Sequence, residues 1–375
     1  MTTYLDCNAT SPIEPDVAKL VRHHMEVEFG NSGSRTHFFG LNAKTAIEKA
    51  RLQVANVVDA GKDEVIFTSG ATESNNLAIL GLAKAAKDQG KNHIITTKIE
   101  HKAILEPLSL LESQGFEVTY LKPNRDCVID TEQVQKHIRH DTFLISIMHV
   151  NNETGAILPI SKIADTLYDS EVYLHVDAAQ GFGKDIDALK NERIDLISIS
   201  AHKVYGPKGI GALITRRRNY KKPPLTPLMF GGGQEKGLRP GTLPVALIAG
   251  LGLAATLAEK NNAIWWEKCS EIKKNAIQSL QDLNVSFHSG DSTLPNTLNF
   301  SIPGINSEAA MLALKGQIAI SNGSACTSTS YTPSHVLKAM ELSDEEIEGA
   351  LRLSWCHMTE EVDWQNIAST LKKLI

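Results

Sequence analysis

A chain of 375 residues, 42% apolar and 22% charged, has ample core for two domains and the balance of a soluble globular protein. Its formal charge of −5 offers no basic surface for nucleic acid or membrane, and no apolar run nears the ~20 residues a bilayer span needs. The start Met1-Thr-Thr-Tyr-Leu-Asp6 has neither a basic nor an apolar leader, and the five scattered cysteines lack CxxC spacing, so the expectation is a cytoplasmic protein without disulfide framework or metal.

In chain order, residues 13–60 read as helices broken at Gly30-Asn31-Ser32-Gly33. From residue 64 strands and helices alternate: strands at 65–68, 93–97, 117–121, 143–148, 173–177, 196–200 and 212–214, with helices over 73–86, 103–114, 131–140 and 160–168 between them. Such alternation predicts an α/β domain whose mostly parallel sheet is covered on both faces. After Pro244 the pattern changes. Helices are expected over 245–261 and 266–283, short strands near 285–287, 297–300 and 318–320, helices over 333–340 and 344–350, a strand at 350–354, and a helix from 361. The division expected is a large unit over 13–255 and a smaller α+β unit made of 1–12 and 256–375.

Chemistry-bearing residues fall where strands end. The run Ser200-Ala-His202-Lys203 closes an apolar strand before the glycine-rich Tyr205–Gly211 turn, and an amine partly buried there can attack a carbonyl, the aldehyde of pyridoxal phosphate included. A snorkelling lysine is the plain alternative. Thr68-Ser-Gly-Ala71-Thr72-Glu-Ser-Asn75 links a strand to a helix with small residues that admit an anion to the helix N-terminus; an ordinary capping box is the alternative. His101 opens a helix after a strand, as a cap or as a group stacked on a flat cofactor. Asp177 ends an apolar strand and needs a partner, either a ring N–H or a local cap or ion pair. Cys326 sits in the small polar run 321–330, where a thiol has no core to join, which favours reactivity. Arg352 lies between apolar neighbours and suits a substrate carboxylate or an internal salt bridge. Arg216-Arg217-Arg218 with Lys221 and Lys222 reads as a solvated basic loop. In a strand, Arg352, Ser354 and Cys356 share a face, which would bring Cys356 to the site, although buried cysteines are usually inert.

In this order, the stretches Tyr4-Leu-Asp-Cys-Asn-Ala-Thr10, 68–76, Glu100-His-Lys102, Met148-His-Val-Asn-Asn152-Glu153, His175-Val-Asp177-Ala-Ala-Gln180, 200–211, Gly231-Gly-Gly-Gln-Glu235 through Arg239-Pro-Gly-Thr242-Leu-Pro244, and Gly323-Ser-Ala-Cys326-Thr-Ser328 resemble the cysteine desulfurases of the NifS/IscS type. These are fold-type-I pyridoxal 5'-phosphate enzymes related in fold to aspartate aminotransferase. The resemblance implies Lys203 as the residue bonded to the cofactor aldehyde, Asp177 on its ring nitrogen and His101 stacked on its ring. Gln180 and Asn152 would lie beside the ring oxygen and the substrate. Ala71, Thr72, Ser200 and His202 would hold the phosphate, with Thr242 supplied by the second subunit of a homodimer. Asn152 and Arg352 would hold the carboxylate of L-cysteine. Cys326, deprotonated with help from a neighbour such as His101, would take the substrate sulfur as a persulfide, release alanine, and pass the sulfur to an acceptor protein in iron–sulfur assembly, tRNA thiolation or DNA phosphorothioation. The long Gly-Ser-Ala-Cys loop is similar to the NifS/IscS group rather than the SufS-like group. Another fold-type-I enzyme, a selenocysteine lyase or an aminotransferase, would keep Lys203 and Asp177 without needing Cys326; a catalytically silent sulfur-carrier or scaffold subunit would need Lys203 to be dispensable.

Overall fold

The computed structural model of the chain describes residues 2–322 and 333–375. Its strands, in chain order, are β1 (Thr3–Tyr4), β2 (Val65–Thr68), β3 (His93–Thr97), β4 (Glu117–Leu121), β5 (Thr142–Met148), β6 (Tyr173–Asp177), β7 (Leu196–Ser200), β8 (Gly211–Thr215), β9 (Ser286–Phe287), β10 (Thr297–Ser301), β11 (Ile318–Ala319) and β12 (Leu351–Ser354). Seven of them form one sheet in the order β2-β8-β7-β6-β5-β3-β4. Only β8 runs against its neighbours; the other six point the same way. Their carboxyl ends therefore gather along one edge, where open α/β sheets bind ligands.

The six strands other than the edge strand β4 are buried along their length save for Tyr173 at the start of β6, as their Val, Ile and Leu runs require of a sheet covered on both faces. One cover is the helix Val245–Lys260, which packs on Phe38–Val57 so closely that a Cβ at Gly252 would lie 2.5 Å from the Ala50 Cα. A second apolar cluster joins Leu5, Phe300, Trp355 and Trp364 around the three-stranded sheet β12-β10-β9. Parallel pairing of β1 with β11 brings the N-terminus to this part of the molecule. The strand expected at 318–320 thus belongs to a separate two-stranded sheet.

Two readings of the sequence need correction. Two arginines of the basic run are structural rather than solvated. Arg216 is buried, and its guanidinium donates to the carbonyl oxygens of Asn191 (2.5 Å), Leu189 (2.8 Å) and Val58, tying loop ends beneath the sheet. Arg218 pairs with Asp195 at 2.9 Å and lies over the Tyr173 ring; Arg217, Lys221 and Lys222 face solvent. Composition cannot separate these arginines, because only tertiary carbonyls without partners distinguish a buried guanidinium from a solvated one. Cys356 is the second correction. The strand ends at Ser354, so the alternation stops and Cys356 turns away from the cavity described below.

Candidate active site

At the carboxyl edge of the large sheet lies a cavity of about 680 Å³. It is lined by Ala71, Thr72, His101, Asn152, Asp177, Gln180, Ser200, His202, Lys203 and Arg352, so ten of the twelve residues singled out in the sequence converge on it. Thr242 does not: it is exposed and lies outside the cavity lining. Cys326 lies outside the described residues.

Lys203 ends a short 3-10 turn, Ala201–Lys203, directly after β7. Its Nζ donates to the carbonyl oxygens of Asn8 and Ala9, the latter at 2.7 Å. Gln180 Nε2 donates to the same Asn8 carbonyl at 2.9 Å. His202 Nδ1 meets Thr10 Oγ1 at 3.1 Å, and burial beside Lys203 and Lys208 pushes its pKa down to about 4, so the ring is neutral. The N-terminal segment 8–10 is therefore a wall of the site, which the sequence reading did not assign to it.

Asp177 closes β6, with one oxygen accepting the Ala179 N–H (3.0 Å) and the other the Asn75 side-chain amide (2.7 Å). Asn75 is buried, and its Oδ1 has no partner among the described residues. Sequence reasoning missed this residue as a site member. The available signal was its spacing, one helical turn beyond Ala71 and so on the same face of the helix Ala71–Asp88.

That helix begins at Gly70 with no side-chain cap among the described residues, which leaves N–H groups of its first turn for a ligand. The capping-box alternative fails because Ser74 Oγ is engaged by Thr68 Oγ1 at 2.8 Å. The turn is tight: a Cβ on Gly211 would lie 2.7 Å from the Gly70 Cα, and Gly70 itself adopts φ 158°. Glu73 braces it, accepting the Ser69 N–H (2.6 Å) and Arg239 Nε (3.0 Å). Burial would raise the Glu73 pKa, yet these hydrogen bonds bring it below the usual carboxylate value.

His101 is both a cap and a site residue. Its Nδ1 accepts the Ala103 N–H at 3.1 Å at the start of the helix Lys102–Ser113. Burial holds its pKa below the usual histidine value, so the neutral ring carries its proton on Nε2. The ring thus enters the cavity as a hydrogen-bond donor. Arg352 forms an internal salt bridge and also lines the cavity: Nη2 pairs with Asp6 (2.7 Å) and Nη1 donates to the Asn152 carbonyl (3.0 Å), while its buried Nε has no partner among the described residues. Replacing it with lysine is expected to raise the KM for a carboxylate substrate by about 10- to 100-fold with a smaller fall in kcat, because the planar fork is lost; steady-state kinetics checks this.

Behind His101, Glu100 is fully buried, with Oε1 accepting from Thr97 Oγ1 (2.7 Å) and the Met148 N–H (3.0 Å), and Oε2 without a partner among the described residues. Burial pushes its pKa up to about 8. The native protein therefore keeps a proton that the unfolded chain releases above the ordinary carboxylate pKa of 4.5, so stability falls between these two values and levels off above the upper one. Glu100→Gln, which copies the protonated acid, is expected to match the wild type near pH ~4.5 and to exceed it near pH ~8 by on the order of 2 kcal/mol, read from melting curves across that range.

The donor set is that of a holder for a flat, anionic, carbonyl-bearing molecule: an uncapped helix N-terminus, a buried carboxylate fixed by Asn75, an amine and a guanidinium around one cavity. Among the described residues no group of three or more His, Cys, Asp or Glu side chains is placed to hold a metal ion.

Comparison with known proteins gives the same picture. The aminotransferase class-V family model matches residues 3–367. The chain is 43% identical over 379 residues to the cysteine desulfurase IscS of Pseudomonas putida (strain W619), covering 99% of this chain and 93% of that protein. Among solved structures it is similar to a NifS-like protein, with a TM-score of 0.90 and 34% identity over 100% of this chain and 98% of the other. It is also similar to DndA from Streptomyces lividans, with a TM-score of 0.82 and 47% identity over 94% and 99%.

Proposed function

The chain belongs to the aminotransferase class-V family and, within it, to the cysteine desulfurases, and from that premise we propose that it moves the sulfur of L-cysteine onto Cys326, releases L-alanine and hands the persulfide to an acceptor protein. The observation that carries this reading is the gathering of Lys203, Asp177, His101 and Arg352 around one cavity.

The residues fit pyridoxal 5'-phosphate. Lys203 would hold its aldehyde and Asp177 its ring nitrogen; His101, Gln180 and Asn152 would border the ring, and Ala71, Thr72, Ser200 and His202 the phosphate. Once bound, this group supplies an electron sink for the pair left on the substrate Cα when its proton is removed. The rest falls to the chain. Arg352, fixed by Asp6 and the Asn152 carbonyl, orients the substrate carboxylate. The Lys203 amine takes the Cα proton. Asp177, its oxygens held by the Asn75 amide and the Ala179 N–H, would accept the ring N–H. His101, with its proton on Nε2, donates into the cavity.

Cys326 is the proposed sulfur acceptor because both flanks of its segment are tied to the site. Ser321 is bridged to Arg352, Ser334 Oγ donates to Glu153 at 2.5 Å, and His335 Nε2 meets the Glu100 carbonyl at 2.9 Å. Five residues of extended chain reach up to ~17 Å, so residue 326 can reach the cavity from Ser321.

The proposal includes a cytoplasmic homodimer in which Thr242 completes the partner's phosphate site. Its exposure outside the cavity supports this, as do large apolar side chains left in solvent, Phe38 at 80% and Phe230 at 86%. It also keeps the division into a unit over 13–255 and a unit of 1–12 with 256–375, supported by the separate apolar cluster around Trp355. The test is product analysis: the purified protein, loaded with cofactor, forms alanine and sulfide from L-cysteine in equal amounts with a thiol reductant present. Formation of the keto acid instead would indicate transamination and reject the desulfurase reading.

A further inference from the structure

Behind the wall that carries Lys203, the chain sets two thiols side by side. Asp6 and Ser354 form a bridge, and the Cys7 N–H donates to the Ser354 carbonyl at 3.0 Å; Cys356 leaves the same strand two residues later. The two side chains pack with Tyr205 and against Trp265 and Met358, 3% and 1% exposed. The Cys356 sulfur receives the Thr359 hydroxyl at 3.8 Å. The neighbouring Cys7 thiol is the chief cause that lowers the Cys356 pKa against its burial, while that of Cys7 rises. The hydroxyl on its sulfur makes Cys356 the nucleophile of the pair and Cys7 the resolving thiol. Tyr205 and Trp265, which pack on the pair, also border with Lys184 and Cys269 a void of about 20 Å³ that neither thiol lines, room for one molecule near the size of water, which needs at least ~10–15 Å³.

The pair is coupled to the cavity through few bonds. Asn8 follows Cys7 directly, and its carbonyl carries both Lys203 Nζ and Gln180 Nε2. Gln180 Oε1 in turn accepts from Lys184 at 3.4 Å. Asn8 is further fixed by its N–H on Ser354 Oγ (2.9 Å) and its side-chain amide on Thr297 Oγ1 (2.9 Å). Displacing Cys7 therefore displaces the carbonyl on which the Lys203 amine rests.

We propose that Cys7 and Cys356 are an oxidisable dithiol, a modification site at which a hydroperoxide closes a disulfide and shifts the Asn8 carbonyl that holds Lys203 and Gln180. The Cys356 thiolate attacks one peroxide oxygen; the O–O bond breaks, hydroxide leaves, and Cys356 becomes a sulfenic acid. Cys7 attacks that sulfur, the S–S bond forms, the S–O bond breaks, and the oxygen leaves as water with the Cys7 proton. The two thiols lose two electrons, and hydrogen peroxide becomes two waters. Because an S–S bond is only ~2.05 Å long, closure draws Cys7 toward Cys356 and pulls Asn8 with it. The chemistry at the thiols is independent of the desulfurase reading; only its effect on bound cofactor rests on that reading.

The test uses the full-length, cofactor-loaded Cys326→Ser protein, so that oxidation of residue 326 cannot confuse the readout. The folded protein is treated with graded hydrogen peroxide, remaining thiols are alkylated under denaturing conditions, and non-reduced peptides are mapped by mass. Most chains are expected to show a peptide joining Cys7 to Cys356, lighter than its two parts by two hydrogens and abolished by dithiothreitol. The cofactor absorption band is expected to shift in step with this link and to return on reduction, and neither change should occur when Cys7→Ser is added. Recovery of both thiols in alkylated form at peroxide doses that consume free cysteine would overturn the proposal. So would pairing of either thiol with Cys269, or a link that leaves the absorption band in place. Should Cys7→Ser fail to fold, the link and its reversal in the Cys326→Ser protein decide the matter alone. Because linkage is read without L-cysteine, a negative result here is distinguishable from failure of the desulfurase reading.

Discussion

Lys203→Ala is expected to leave a folded protein that forms alanine from L-cysteine at least ~10³-fold more slowly and lacks the absorption band of lysine-bound pyridoxal phosphate. Folding survives because the side chain contributes little to the core. Its Nζ rests on the carbonyls of Asn8 and Ala9, and Asn8 keeps the Gln180 amide when the lysine is gone. The remaining carbonyl borders a cavity that water can fill, so the cost is about 1 kcal/mol. The chemical cost is larger, since no other side chain lining the cavity combines an amine with this position: Lys208 lies in the turn beyond it, and His101 holds its proton through the Ala103 bond. Rates of alanine formation and an absorption spectrum check both parts, and an added small amine should recover some of the rate. A variant that kept its band and a near-normal rate would remove Lys203 from the mechanism.

Cys326→Ser is expected to keep the cofactor band and lose sulfide release to background, a fall of ~10²-fold or more, because a hydroxyl is not the soft, ionisable nucleophile that attack on sulfur needs. The variant separates two classes of chemistry that the cavity alone would allow. An aminotransferase or selenocysteine lyase with the same Lys203 and Asp177 would be indifferent to this residue. The described residues on either side of the segment are held near the site. Ser321 on one side and Ser334 and His335 on the other are anchored to Arg352, Glu153 and the Glu100 carbonyl, next to Asn152 and His101. Sulfide measured in parallel with the cofactor spectrum checks the prediction.

What could be read in the sequence was the set of strand ends. Each strand is a short apolar run, and the polar residue that follows it must find a partner, so Asp177, Ser200, His202 and Lys203 announced themselves by type and place. The edge they share follows from parallel topology, which is why they meet. Residues that act by position were harder to see. Asn75 looks like any polar residue in a helix, and its use appears only when Asp177 is brought to 2.7 Å by β6. Asn8 and Ala9 act through backbone carbonyls, which have no sequence signature. Arg216 was misread because charge in a run suggests solvent, whereas three carbonyls from distant loops claim it. Cys356 was placed by alternation beyond the point where the strand stops. Thr242 is exposed and lies outside the cavity lining, so its proposed role rests on a second copy of the chain.

The central claim is that sulfur leaves L-cysteine for the thiol of Cys326 with the help of Lys203. Its most direct test is a single turnover with isotopically labelled L-cysteine, followed by acid-free alkylation and peptide mapping. The account predicts one labelled sulfur on the peptide containing Cys326, alanine in equal amount, and neither product from Lys203→Ala. Alanine and sulfide formed at the wild-type rate by Cys326→Ser, with no label ever found on that peptide, would contradict it.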